Sequence, residues 1–226
     1  MRKGFLIWMA VCALLVFSCK GKKDKTADGN TTDSTNVDIS ELPPGQPVDS
    51  AAVFHITEAN KDSVLMSLTK EVLTVFKNKE YTKLDIFIHP VEGVRFSPYA
   101  YIDPANDRKV SKHDFDALVS SNKKLKWGAY DGSGDAIILT PREYFGRFVY
   151  DANFLAAGSK GVNKVLKTGN TIDNIKSAYP DADFTESHLD GSSKNAGLDW
   201  KSVRLVFRLY EGKYYLVGVV HDGWTI

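Results

Sequence analysis

The fold is decided by residues 200–221, which read WKSVRLVFRLY-EG-KYYLVGVVH. Apolar and polar side chains alternate on both sides of Glu211-Gly212. This pattern is typical of a β-hairpin whose two antiparallel strands are joined by a two-residue loop with Gly in second place. The expected register pairs Leu209 with Tyr214 and continues without interruption along both strands. One face of the hairpin is then apolar and belongs to the core.

The other face of the predicted hairpin mixes valines with polar side chains. An uninterrupted register places on it Ser202, Arg204, Val206 and Arg208 of the first strand, and Tyr215, Val217, Val219 and His221 of the second. A face in contact with water would carry fewer valines. We therefore expect another element to cover this face, or the face to line a pocket. This is the main indication of function in the sequence.

Helical patterns precede most of the strand patterns. Helices are predicted at 62–78, 82–88, 111–119, 140–149 and 171–179, and further strands at 93–97, 124–130 and 136–139. Thr140 to Glu143 is the clearest helix start, because it supplies a cap, a proline at the first helical position and an acid at the third. This order predicts an α+β fold in which N-terminal helices pack on a curved, mainly antiparallel, cone-like sheet with a C-terminal hairpin.

Residues 1–18 predict a lipoprotein signal peptide. Arg2 and Lys3 precede an apolar run that is shorter than a bilayer-spanning helix. Ser18-Cys19 resembles the lipobox of bacterial lipoproteins, in which cleavage occurs before the Cys and the thiol carries lipid. The resemblance implies an exported protein, anchored at the cell envelope, in the outer membrane, by lipid on Cys19. An uncleaved membrane anchor is the alternative.

The remaining chain divides into a tether and one domain. Residues 19–50 hold the lipidated Cys19 and a segment too poor in apolar side chains to offset the entropy cost of ordering, so a disordered tether is predicted. Residues 51–226 suit a single α+β domain. The chain has 29 basic and 28 acidic residues. Such a balance offers no broad basic field, which excludes nucleic acid as the expected partner.

No complete catalytic or metal-binding motif is found, so we predict neither a cofactor nor a metal site. His221 beside Asp222 is a candidate general base, with Asp131 as a second one; a hydrogen-bonded structural histidine is the alternative. Candidate ligand-binding residues are charged or aromatic side chains on or near the half-apolar face: Arg95, Trp127, Tyr130, Arg204, His221 and Trp224. Core packing is the alternative for the aromatic ones.

Several segments resemble an uncharacterised bacterial family of exported lipoproteins, which also occurs as a domain of larger secreted proteins. The segments are 93–101, 127–134, 148–151, 169–172 and 221–226. The resemblance covers most of residues 60–226 and implies no activity. The order of helices and strands also resembles the nuclear-transport-factor-like fold, a cone of curved sheet closed by helices. That fold hosts both enzymes and binding modules.

Two functions remain as expectations. The first is a membrane-tethered accessory domain that binds a small molecule, a glycan or an envelope protein. The second is a small hydrolase or isomerase with a His or Asp base in a cone-shaped cavity. Convergence of His221, Asp131 and Arg204 in one dry cavity would favour the enzyme, whereas scattered positions would favour binding. A purely structural envelope protein, with every apolar face covered, is a third possibility.

The lipid anchor is tested at Cys19. Replacing Cys19 with Ala removes the only thiol at the expected cleavage site, so the precursor should remain uncleaved and acyl labelling should be lost. Mobility on a denaturing gel and incorporation of a labelled fatty acid measure the two effects. Labelling that persists in Cys19→Ala would contradict the lipoprotein prediction.

Overall fold

A computed structural model describes residues 56–225, which fall within one structural unit, Ala52–Ile226. The predicted signal peptide, Cys19 and the predicted tether lie outside the described residues. The helices are α1 (Lys61–Asn78), α2 (Lys112–Ser120), α3 (Pro141–Phe148) and α4 (Ile175–Ala178), with 3-10 turns at Tyr81–Phe87, Phe154–Ala156 and Ser193–Asn195. The strands are β1 (Val94–Ser97), β2 (Arg108–Val110), β3 (Leu125–Ala129), β4 (Ala136–Leu139), β5 (Ser159–Val162), β6 (Asp183–Leu189), β7 (Lys201–Tyr210) and β8 (Lys213–Gly223).

Six of the strands form one sheet in the order β2-β1-β8-β7-β6-β5. All neighbours pair antiparallel except β1 and β8, which are parallel. Strands β3 and β4 form a separate antiparallel pair. The chain therefore has a mixed α+β fold with a mainly antiparallel sheet, as predicted. None of the helices between residues 56 and 225 has both the length and the hydropathy that a bilayer crossing requires.

The main core lies on the side of the sheet that carries Phe96, Leu205 and Phe207, which we call the first face. Helices α1 and α3 and the β3–β4 pair pack against it. Helix α3 begins with the predicted capping box between Thr140 and Glu143. Its buried side brings Phe145 to 5.2 Å from the Phe96 ring. Aromatic packing therefore holds α3 on the sheet.

The pairing of β7 and β8 follows the predicted register only near the Glu211-Gly212 loop. Leu209 pairs with Tyr214, and the match continues for two further pairs. Val206 then pairs with Gly218, so Val217 is one extra residue on β8. The uninterrupted register was wrong beyond this point, because an inserted residue shifts every later pair by one.

The bulge at Val217 reverses the face of each later side chain of β8. Val219 lies opposite Leu205 and joins the main core on the first face, and His221 lies on the same side. Val220 and Asp222 turn to the opposite side, which we call the second face. The predicted position of Val219 and His221 on the second face is therefore wrong. Because successive side chains of a strand point to opposite faces, one inserted residue moves every later side chain to the other face.

The second face is covered, as the mixture of valines predicted. Val206 and Val220 are fully buried there, in a smaller core with Phe184, Ile102 and Ile175. Ile175 belongs to α4, and the chain from 163 to 182 crosses this face. The predicted helix at 171–179 was too long, since only Ile175–Ala178 is helical.

Arg204 joins three strands to that covering segment. Its guanidinium is fully buried on the second face and donates to Glu186 Oε2 on β6 and Asp222 Oδ2 on β8, each at 2.9 Å. It also donates to the Lys167 carbonyl at 3.0 Å and pairs with Asp173 Oδ2 at 2.9 Å. Burial raises the pKa of the Asp222 carboxyl, an effect that Arg204 opposes.

The ion network predicts a large effect of Arg204→Met. The substitution leaves Glu186 and Asp222 buried without their cation, so the free energy of unfolding should fall by roughly 3–5 kcal/mol. Urea denaturation measures the change. The control is Arg208→Met on the same strand and face, where the side chain is 28% exposed and the expected loss is about 1 kcal/mol or less. An equal or larger loss for Arg208→Met would contradict this role of Arg204.

Candidate functional site

A cavity of about 230 Å³ opens on the second face. It lies between β1, β2, β7 and β8 of the sheet and the chain that covers them. Its apolar walls are Ile102, Pro104, Ala178 and Val217, and its polar lining consists of Glu92, Arg95, Lys109, Tyr179 and Arg208. Polar groups that converge within apolar walls are typical of small-molecule sites.

A glycine lets the covering segment approach the sheet at this cavity. A Cβ on Gly218 would stand 2.8 Å from the Tyr179 hydroxyl oxygen and 3.2 Å from a methyl group of Val206. The Tyr179 hydroxyl donates to the carbonyl of the bulge residue Val217 at 3.4 Å. Burial raises the pKa of Tyr179 to about 12, so the phenol stays protonated at neutral pH.

Arg95 is held in the cavity wall by backbone carbonyls. Its Nη1 donates to the carbonyls of Pro104 and Asp107, both at 3.1 Å. These acceptors are neutral, so they orient the guanidinium without cancelling its charge. Lys109 lies beside Arg95, because the two residues pair across β1 and β2.

Arg208 is held differently from Arg95. Its Nη1 donates to Glu92 Oε1 at 3.0 Å, in a pair whose side chains are both about 30% exposed. Its Nε is buried and has no hydrogen-bond partner among residues 56–225. A buried donor without a partner is unfavourable.

A buried carboxyl lies behind Arg95. Asp107 accepts a hydrogen bond from Ser97 Oγ at 2.5 Å and another from the Asp103 backbone N–H at 2.9 Å. Burial raises the pKa of Asp107 to about 6, although both hydrogen bonds and the charge of Arg95 favour its ionised form. The negative charge behind the cavity therefore increases as the pH rises through 6.

The structure brings one of the six candidate ligand-binding residues, Arg95, into the cavity. Arg204 lies on the same face but is enclosed by its carboxylates. Trp127 is fully buried in the main core, stacked on Tyr144 with ring centroids 4.1 Å apart. Tyr130 packs against Arg147 and Phe148, and Trp224 is 47% exposed. His221, described next, lies on the first face.

His221 meets a different acid from the one predicted. Its Nε2 lies 3.3 Å from Asp151 Oδ1, and its ring packs edge-on against Phe148. The expected partner, Asp222, lies on the opposite face and binds Arg204, because consecutive side chains of a strand point to opposite faces. Burial would raise the pKa of Asp151, but its contacts with His221 and Lys201 outweigh burial and lower it.

The two candidate bases and Arg204 do not converge. Asp131 accepts hydrogen bonds from Thr225 and Thr171. His221 contacts Asp151, and Arg204 contacts a third set of partners. Neither candidate base lines the cavity, and Arg204 does not line it either.

Sequence reasoning missed Lys109, Tyr179 and Glu92 as members of one site. The predicted second face did include Arg208 and Val217, which both line the cavity. Lys109 reaches the site on β2, a strand of three residues, and Tyr179 directly follows the four-residue α4. Such short elements leave little periodicity to recognise.

The raised pKa of Asp107 predicts a pH-dependent stability. Its folded pKa of about 6 lies above the ordinary value of 3.8, so the fold favours the protonated carboxyl. The benefit is complete below about pH 4 and is lost as the pH rises to 6, at a cost of about 3 kcal/mol. Asp107→Asn keeps an acceptor oxygen and should gain about this much relative to wild type between pH 4 and 7 in urea denaturation. Exposed Asp116→Asn controls for the lost charge, and parallel pH profiles for wild type and Asp107→Asn would contradict the prediction.

Comparison with known proteins does not assign the chain to a family. No protein-family model matches the chain, and no curated protein matches its sequence significantly. Among residues 56–225, no group of three or more His, Cys, Asp or Glu side chains is placed to hold a metal ion. The cavity of the second face and the residues that line it are therefore the main structural indication of function.

Proposed function

We propose that the protein is a membrane-tethered lipoprotein of the bacterial cell envelope whose folded domain binds a ligand in the cavity of the second face. The observation that carries this proposal is the convergence of Arg95, Arg208 and Tyr179 within apolar walls. The pattern of residues 1–19 supports export and a lipid on Cys19, by which the protein reaches the membrane.

The size of the cavity favours a small molecule over a glycan chain or a protein. Pockets for drug-sized ligands enclose about 300–1,000 Å³. At about 230 Å³, this cavity suits a compact molecule, or one group of a larger molecule. The apolar walls would bury apolar surface of the ligand, and the polar groups would fix the orientation of the ligand.

A small hydrolase or isomerase is the second candidate, and the 3.3 Å contact between His221 and Asp151 favours it. An acid that orients a histidine is a common part of general-base catalysis. This pair is separate from the cavity, however, and neither His221 nor Asp131 lines it. The binding function is therefore preferred.

The cone-like arrangement of the sheet is also a proposal. A mainly antiparallel sheet with helices packed on its first face supports a likeness to the nuclear-transport-factor-like fold. In the proposed arrangement the ligand cavity lies on the opposite, second face. The shared architecture does not choose between binding and catalysis.

The binding function is tested by filling the cavity. Ala178→Phe places a ring in the apolar wall and should exclude the ligand. The full-length protein is purified natively from membranes of its own host, and the small molecules released on denaturation are identified by mass spectrometry. We expect at least one molecule near one per protein in wild type and a loss of about tenfold or more in Ala178→Phe, equivalent to about 1.4 kcal/mol of binding.

The matched control is Ala117→Phe, which adds the same ring to an exposed position on α2. This variant should retain the molecule at the wild-type level. The ligand-binding proposal fails if wild type and Ala178→Phe release the same set of molecules in the same amounts, including the case in which neither releases any.

A further inference from the structure

The charges that line the cavity are unbalanced in favour of cations. Arg95, Lys109 and Arg208 face one carboxylate, that of Glu92. Glu92 pairs with Arg208, which leaves Arg95 and Lys109 without an ion-pair partner in the described part of the chain. Two cations of one small cavity are therefore available to a ligand.

The orientation of Arg95 suits an oxyanion. Two neutral carbonyls hold its Nη1, so little side-chain freedom is left to lose on binding. The planar guanidinium has further donors on Nε and Nη2, and a side-chain hydrogen bond joins Arg95 to the Tyr179 hydroxyl. Such a fork matches the two oxygens of a carboxylate or phosphate.

Arg208 adds a second donor. Its Nη1 is engaged by Glu92, while its Nε is buried without a partner among residues 56–225. Ile102 and Val217 supply apolar surface between the charged groups. The cavity therefore offers cationic donors on a partly apolar wall, which suits a molecule with an anionic group and a short carbon skeleton.

We infer that the cavity binds a compact organic anion through a carboxylate or phosphate group, with Arg95 and Lys109 as its principal contacts. This inference deepens the proposed ligand-binding function and rests on it. The same anionic group occurs on soluble metabolites and on the headgroups of lipids. The experiment therefore has to separate those two sources.

Acidic groups behind the site limit the expected affinity. Asp107 and Asp103 lie close enough to Arg95 for their charges to act on it, from the loop that precedes β2. Glu92 faces Arg208 from the chain that precedes β1. These carboxylates weaken the field in the cavity, so a ligand must contact the cations directly. Rejection of neutral analogues is then the expected signature of the site.

The test titrates the full-length protein in neutral detergent by calorimetry, with chloride used to hold the ionic strength constant. The probes are inorganic phosphate, acetate, glycerol 3-phosphate and dihexanoyl phosphatidate, and glycerol is the neutral probe. Wild type should bind at least one anion and not glycerol. Arg95→Gln should weaken binding about tenfold, because it removes one charge-assisted contact.

Lys109→Gln keeps the test valid if Arg95→Gln fails to fold. Lys109 is exposed on β2, and its replacement should weaken anion binding about threefold without unfolding the domain. The matched control is Lys70→Gln on α1, which packs on the first face, and it should bind like wild type. Tighter binding of the short-chain phosphatidate than of glycerol 3-phosphate would assign the anion to a lipid, and the reverse would assign it to a soluble molecule.

Two results would overturn the inference. One is the absence of binding by every anionic probe, or binding that neither Arg95→Gln nor Lys109→Gln weakens. The other is a neutral molecule that co-purifies with wild type and is lost in Ala178→Phe. That result would support the ligand-binding function and contradict its anionic specificity.

Discussion

The buried guanidinium of Arg204 is the interaction on which the rest of the structure depends. A charge at zero exposure is tolerated only with partners of opposite sign, and Glu186, Asp222 and Asp173 provide them. These partners come from β6, β8 and the segment that covers the second face. One side chain therefore ties the sheet to its cover. Since Tyr179 belongs to the same cover, the network also sets the wall of the cavity.

The bulge at Val217 makes this network possible. One extra residue on β8 turns Asp222 toward Arg204 and sends His221 to the first face, beside Asp151. Without the bulge, an alternating strand would present His221 on the face of Arg204 and leave that cation one carboxylate short. The same insertion places Val217 in the cavity wall. A local irregularity therefore serves both the core and the candidate site.

Three arginines on the second face differ in how far neighbouring carboxylates compensate their charge. Arg204 is surrounded by carboxylates and is structural, whereas Arg208 has one carboxylate and a buried Nε that finds no partner within residues 56–225. Arg95 is held by neutral carbonyls, which do not compensate its positive charge. This gradient runs from the closed part of the face toward the cavity. It is the physical reason why the proposed site lies at Arg95 and not at Arg204, although both were candidates from the sequence.

The sequence by itself determined the elements whose causes are local: α1, the Ser111 cap of α2, the Thr140 capping box of α3, and the strands β1, β3 and β4. Caps and periodic faces depend on residues a few positions apart, so a pattern reveals them. Only the tertiary structure decided β6, whose polar Glu186 and His188 are buried because distant residues bind them. The tertiary structure also decided the bulge, because the continuous and the bulged registers of β7 and β8 are identical near the loop. It likewise decided that Lys109 and Tyr179 line the same cavity. Those choices depend on contacts between residues far apart in the chain, which no local pattern records.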